Sequence, residues 1–122
     1  MSETRLVSHV GLCRASQLIG TQVRNPMGEH LGQVLDFILD VGENRVSAAI
    51  LSVESGAGQT RLVAVPMIAL GYDSIEREAL LNVDRKTLQR APSFRPDEWP
   101  DLIDRVWAAD LYSRFGFLPY WL

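Results

Sequence analysis

The sequence predicts a mostly β fold: a small antiparallel barrel with a short helix after its last strand and an amphipathic helix at the C-terminus. Two observations lead to this fold class. Short runs of apolar and β-branched residues recur along most of the chain with turn residues between them, and a helical spacing of apolar residues appears only towards the end. The length of 122 residues, of which 47% are hydrophobic, suits one core and one domain.

The first strands are predicted around two turns. A strand at residues 21–25 leads into Asn-Pro-Met-Gly at 25–28, where proline and glycine occupy turn positions that favour them. An apolar strand at 33–41 follows and ends at Gly-Glu-Asn, residues 42–44. Each turn therefore predicts a hairpin.

The strand predicted at residues 45–53 is apolar on both faces, one of which carries Ala48 and Ile50 and the other Ala49 and Leu51. One face is expected to line the barrel interior. The other is expected to meet a helix, the C-terminal tail or a second subunit, because large bare apolar patches are rare on monomers. Ala49 and Leu51 are therefore candidate interface residues.

Further strands are predicted by apolar runs that turn residues separate, at residues 60–65, 72–75 and 78–83. Asp84 then has the side chain of a helix N-cap. It precedes a short helix predicted at residues 85–90, which an Ala-Pro pair ends.

The C-terminal helix is predicted at residues 100–114, with proline in the first turn, acidic residues early and apolar residues at four-residue spacing. Gly116 is placed to end it as the C′ residue. The apolar face is wide, and an extended aromatic segment follows it. The candidate interface residues of this region are Trp99, Ile103, Trp107, Leu111, Phe115, Phe117, Tyr120 and Trp121.

These aromatic side chains need cover, because each would forgo about 1.5–3 kcal/mol of burial free energy in water. The helix either folds back over its own barrel or packs on, or exchanges with, a second subunit, and the second interpretation is favoured here. A helix lying on a membrane surface is a weaker third interpretation, since Asp101, Asp104 and Asp110 oppose anionic lipid.

Several short segments, taken in order, share one resemblance. Ala-Ser-Gln-Leu-Ile-Gly-Thr-Gln-Val at 15–23 and Gly-Glu-His-Leu-Gly-Gln-Val at 28–34, with the later Asp36 and Asp40, resemble the opening of the PRC-barrel family, named for the photosynthetic reaction centre. The likeness extends to Phe94, and Met67 departs from it because a tryptophan commonly follows the proline there. The further segments that carry it are residues 45–52, 65–66, 82–85 and 91–94.

The resemblance implies a compact barrel at residues 15–94 and a role in protein–protein contact. Residues 1–14 would be an N-terminal extension, and residues 95–122 a linker, helix and aromatic tail. The family includes the barrel of the reaction-centre H subunit and that of a ribosome maturation factor, which contacts a ribosomal protein. The end of this chain resembles the tail of stand-alone bacterial members.

Charge and composition exclude several classes of protein. The net charge of −3 argues against a nucleic-acid surface, since phosphate binding needs a concentrated basic face. Residues 1–14 lack the apolar core of a signal peptide, and no run of about 20 apolar residues could span a bilayer. We expect a cytoplasmic protein with no integral membrane segment and no nucleic-acid partner.

The polar residues do not form the pattern of a catalytic or metal site. Asp40 is placed to brace the turn that follows it, and Asp36 to hold a nearby backbone amide or an arginine. His9 and His30 lack a second ligand at metal-binding spacing, and the single cysteine, Cys13, has no base that the sequence can place beside it. No catalytic residue, cofactor or metal is predicted.

The predicted function is therefore a non-enzymatic protein–protein interaction module, a homodimeric adaptor that also binds a protein the sequence does not name. Two alternatives stay open. One is a small-ligand or metal-binding protein, and the other is a membrane-associated photosynthesis accessory protein, which only the family resemblance suggests.

Overall fold

The computed structural model describes residues 12–54, 58–102 and 105–122. Its strands are β1 (Gln22–Arg24), β2 (His30–Asp40), β3 (Arg45–Glu54), β4 (Thr60–Pro66), β5 (Leu70–Asp73), β6 (Glu78–Leu81) and β7 (Ser93–Phe94). Its helices are α1 (Ala15–Leu18), α2 (Arg85–Arg90) and α3 (Arg105–Arg114), with a 3-10 turn at Met67–Ala69. The predicted hairpin strands are present, each within a few residues of its expected place.

The seven strands belong to one sheet, in the order β5-β6-β1-β2-β3-β4-β7. Neighbouring strands are antiparallel except β1 and β6, which are parallel. A mostly β, mostly antiparallel fold is thus confirmed, but the described strands leave the sheet open, with β5 and β7 at its ends. The short helix predicted after the last strand is α2, and the two-residue strand β7 follows it as an addition.

Strand β3 lies between β2 and β4 and is buried on both faces. Successive side chains of a strand point to opposite faces, so Ala49 and Leu51 lie in one apolar core with residues of β1, β4 and β6. Ala48 and Ile50 lie in a second core on the other side. Ala49 and Leu51, predicted in an interface, are instead fully buried, because their face of β3 points into the chain's own core.

Helix α3 covers the second core of its own chain. Leu111 is buried there, with Trp107 and Phe115 partly buried beside it, against Ala48 and Ile50. Within this chain the helix folds back over its own sheet, as the first of the two interpretations states.

The C-terminal helix is shorter than predicted at its start and ends where expected. Residues 100–102 are not helical, and the Leu102 side chain is 44% exposed, so its burial does little to offset the entropy cost of ordering a first turn there. At the other end Gly116 has a φ of 80°, and the Phe117 N–H donates to the Tyr112 carbonyl at 3.0 Å, as in a Schellman motif.

Replacing Leu111 with alanine tests the packing of α3. We expect Leu111→Ala to lower the free energy of unfolding by about 2–5 kcal/mol, because it leaves a cavity in the second core. The matched control is Leu118→Ala in the same tail, where the side chain is 86% exposed and the loss should be about 0.5 kcal/mol or less. Urea unfolding measures both, and equal losses would contradict the packing.

Candidate functional site

A polar contact fastens α3 and the tail to the β2–β3 hairpin. The guanidinium of Arg105 donates two hydrogen bonds to the carboxylate of Asp40, at 2.7 and 3.2 Å, and the Tyr120 hydroxyl donates a third. The Asp40 side chain is only 8% exposed, whereas that of Arg105 is half exposed. The bonds from Arg105 and then from Tyr120 lower the pKa of Asp40 to about 2.

A second contact fastens the same helix to β3. The pairing of β2 with β3 skips Ser47, which is a bulge, and the Tyr112 hydroxyl donates to the Ser47 carbonyl at 2.6 Å. Burial raises the pKa of the Tyr112 hydroxyl, so the group stays a neutral donor.

The tail aromatics complete this attachment. Tyr112, Tyr120 and Trp121 form a cluster of edge-to-face rings with centroids 4.9–5.7 Å apart. The guanidinium of Arg45 lies 4.0 Å from the Tyr120 centroid, and that of Arg105 lies 4.8 Å from the Trp121 centroid. The tail is therefore held by carboxylate, carbonyl and ring contacts to one end of one hairpin.

The far side of α3 forms one wall of an apolar groove with a volume of about 830 Å³. Helix α2 and strand β7 form the opposite wall, and Ala64 of β4 lies between them. Four partly exposed aromatic rings line the groove, those of Phe94, Trp99, Trp107 and Phe115.

Trp99 is placed in the groove by local contacts. Its indole N–H donates to the Pro96 carbonyl at 3.0 Å, and its ring packs on Phe94 with a centroid distance of 5.1 Å and a tilt of 59°. It remains 38% exposed. This ring therefore offers apolar surface in a fixed position.

Charges on the groove balance. Arg90 and Arg114 line it together with Glu98 and Asp110, and Arg114 is paired with Asp110 at 2.7 Å. Because two bases are set among two acids, the groove selects neither an anionic nor a cationic occupant. Its lining favours apolar side chains.

The predicted interface residues separate into three sets. The groove brings together Trp99, Trp107, Leu111 and Phe115. Tyr120 and Trp121 belong to the hairpin attachment, and Phe117 is half-buried. Ala49 and Leu51 are in the core, and Ile103 lies outside the described residues.

The polar residues considered from the sequence have local partners. Oδ1 of Asp36 accepts from the Phe37 N–H at 2.8 Å, and Oδ1 of Asp40 accepts from the Glu43 N–H at 3.2 Å, so both brace the backbone as predicted. A ring nitrogen of His30 contacts the side-chain oxygen of Gln22. Cys13 is exposed, and His9 lies outside the described part of the chain.

The described residues contain no group of three or more His, Cys, Asp or Glu side chains placed to hold a metal ion. Among the same residues there is no helix of the length and apolar character needed to cross a membrane.

Sequence reasoning missed Tyr112 and Arg45. Tyr112 is buried in α3 next to Leu111, and its position beside a predicted apolar face was the available signal. Arg45 follows a turn and stacks on a ring 75 positions later, which no local pattern indicates.

Comparison with known protein families gives a match over most of the chain. The family model described as PRC-barrel domain matches residues 11–88, well over half of the chain. This match confirms the resemblance to the PRC-barrel family that the short sequence segments indicated. A search of the curated proteins found no match.

The pH dependence of stability tests the hairpin attachment. Asp40 has a lower pKa folded, about 2, than its ordinary value of 3.8, so its bonds stabilise the fold above about pH 4 and this contribution is lost as the pH falls towards 2. We expect Asp40→Asn to be less stable than the unaltered chain at neutral pH, with a difference that shrinks between about pH 4 and pH 2. The midpoints of urea unfolding, taken for both proteins at several pH values, measure this difference.

The control for this prediction is Asp110→Asn. Asp110 pairs with Arg114 on the exposed side of α3, where an ion pair contributes little, so its loss should leave the midpoint at neutral pH near that of the unaltered chain. A constant difference between Asp40→Asn and the unaltered chain from pH 7 to pH 2 would contradict the role given to Asp40.

Proposed function

Because the chain belongs to the PRC-barrel domain family, we propose that it is a non-enzymatic protein-interaction module. It acts as an adaptor that pairs with a second copy of itself and holds another protein in the aromatic groove. The partner's chemistry follows from the lining: a segment whose large apolar side chains enter between α3 and the α2–β7 wall.

The observation that carries this proposal is the set of four partly exposed aromatic rings around one groove. Large rings left partly in water are a cost to the free protein that a partner removes on binding. Aromatic residues in a pocket are also the side chains that dominate binding energy at protein interfaces. Balanced charge on the rim suits an apolar segment of a protein better than an ionised metabolite.

The groove is prepared before binding. Asp40 and Ser47 hold α3 from the hairpin side, and Leu111 holds it from the core, so the wall that carries Trp107 keeps its place without a partner. A preformed site avoids the entropy cost of ordering its own residues on association. This supports the groove as a binding surface.

A small apolar ligand is the second candidate for the same groove. The volume of about 830 Å³ lies within the range of roughly 300–1,000 Å³ that is usual for small-molecule sites. A ligand that binds only the folded state raises the melting temperature, so a panel of uncharged aromatic and aliphatic compounds tests it directly. A rise that Trp99→Ala abolishes would favour this candidate over a protein partner.

Selection from a random peptide library tests the protein partner. We expect peptides selected on the full chain to carry large apolar residues, and to lose at least tenfold in affinity on Trp99→Ala, which is about 1.4 kcal/mol. The matched control is Leu102→Ala, nearby in the chain, 44% exposed against 38% for Trp99, and outside the groove lining. Isothermal titration measures the affinities.

Urea unfolding of Trp99→Ala should show that the fold is kept, since Trp99 lies in a loop and its ring is partly exposed. Selected peptides that bind Trp99→Ala as tightly as the unaltered chain would reject the groove. Peptides that lose affinity equally on Leu102→Ala would also reject it.

A further inference from the structure

Among the described residues, half of strand β2 has no neighbouring strand on one side and forms an edge of the sheet. Strand β1 pairs only with the first residues of β2. The last backbone hydrogen bonds between β2 and the β1 side of the sheet join Val34 to Gly20 and Thr21, at 2.7 and 3.0 Å. From Leu35 to Asp40, β2 has β3 on one side and none of the described strands on the other. Unpaired strand edges readily accept another strand.

Apart from Asp36 and Asp40, this edge carries apolar side chains, whereas natural proteins usually protect an open edge with charge. Leu35 is 42% exposed and Leu39 is 64% exposed, and Phe37 and Ile38 between them are only partly buried. A leucine at each end of an open strand edge is a cost unless another strand covers it.

From this edge we infer that a second copy of the chain pairs antiparallel with the first, β2 to β2, around a twofold axis at Phe37. The inference rests on the self-association in the proposed function and names its surface. A twofold axis makes both copies use the same patch, so the edge must be complementary to itself. Leu35 and Leu39 lie two residues before and after Phe37, so Leu35 of each copy is opposite Leu39 of the other copy.

Charge selects this register over its neighbours. An axis at Asp36 would set the two copies of Asp36 opposite each other, which their like charges oppose. An axis at Ile38 would set Asp36 opposite Asp40, where the side chains of Arg105 and Tyr120 already occupy the carboxylate. An axis at Leu39 would run the pairing into the turn after Asp40. The axis at Phe37 places Asp36 opposite Ile38 and avoids facing acids.

The extra residue at Leu35 bears on the geometry. The β2–β3 register shifts between Val34 and Asp36, so Leu35 is the bulged residue. Bulges bend a strand and help to end its pairing, which accounts for β1 leaving β2 at this point. A twofold pairing uses this same edge on both copies, so the pairing stops at two copies.

A lysine at Leu39 tests the surface by sedimentation velocity on the full chain. We expect Leu39→Lys to weaken the dimer at least tenfold, because two added charges enter the apolar contact. Ile75→Lys is the matched control: Ile75 is also 64% exposed, but it lies in the β5–β6 turn, so its dimer should be unchanged. A dimer that both variants leave intact would overturn the edge while the homodimer stands.

Cross-linking tests the register itself. In a Cys13→Ser background, three samples are oxidised: Leu35→Cys alone, Leu39→Cys alone, and the two variants mixed while still reduced. Directly opposite residues have Cα atoms about 4.5–5.5 Å apart, within the reach of a disulfide, so the mixture should form a cross-linked dimer and each variant alone should not. Cross-linking of either variant alone, or none in the mixture, would overturn the axis at Phe37.

One further outcome separates the two proposals. An unaltered chain that stays monomeric at every concentration would overturn both the edge and the homodimer. The groove would still stand or fall on peptide binding by Trp99→Ala, because Trp99 packs on Phe94 of β7 and two strands separate β7 from β2.

Discussion

The arrangement of the molecule depends on the double burial of β3. Ala49 and Leu51 fill one core, and Ala48 and Ile50 would leave an apolar surface on the other side if nothing covered it. A strand with a core on each face needs a second packing element on its other side, and the hairpins do not supply one. Helix α3 is that element, so the 28 residues after Phe94 contribute to the fold as well as extending it.

A covering helix must also be held in one orientation, and polar contacts with the hairpin do this. Apolar burial is not directional, whereas the paired bonds from Arg105 to Asp40 and the bond from Tyr112 to Ser47 fix position and rotation. The bulge in β3 frees the Ser47 carbonyl for the second bond. A small irregularity of the sheet thus anchors the helix, and the anchored helix forms the wall of the groove.

How much of this the sequence predicted depends on the range of each interaction. The turn at 25–28, the Asp84 N-cap and the Gly116 helix end follow from chemistry within a few residues, and all three occur as expected. The apolar pattern of β3 correctly required cover on both faces. The pattern could not tell which face was inner, because Ala48 with Ile50 and Ala49 with Leu51 are equally apolar.

The long-range contacts were beyond local patterns. Asp40 was predicted to brace its own turn and does, yet its bonds to Arg105 and Tyr120 span 65 and 80 positions. The uncovered half of β2 was also hidden, since it follows from β1 being three residues long against eleven for β2. Strand lengths decide which edges stay open, and strand ends are set by tertiary packing as well as by local sequence.

The sheet order separates the two candidate binding surfaces. The open edge belongs to β2 and the groove wall to β7, with β3 and β4 between them, so three strand spacings of about 4.8 Å set them roughly 14 Å apart across the sheet. Helix α3 covers the intervening strands and lines the groove without filling it, and its bond to Asp40 contacts the open half of β2 only at its end. Two copies joined along β2 would therefore keep both grooves open, so one chain can pair with itself and hold a further protein at once.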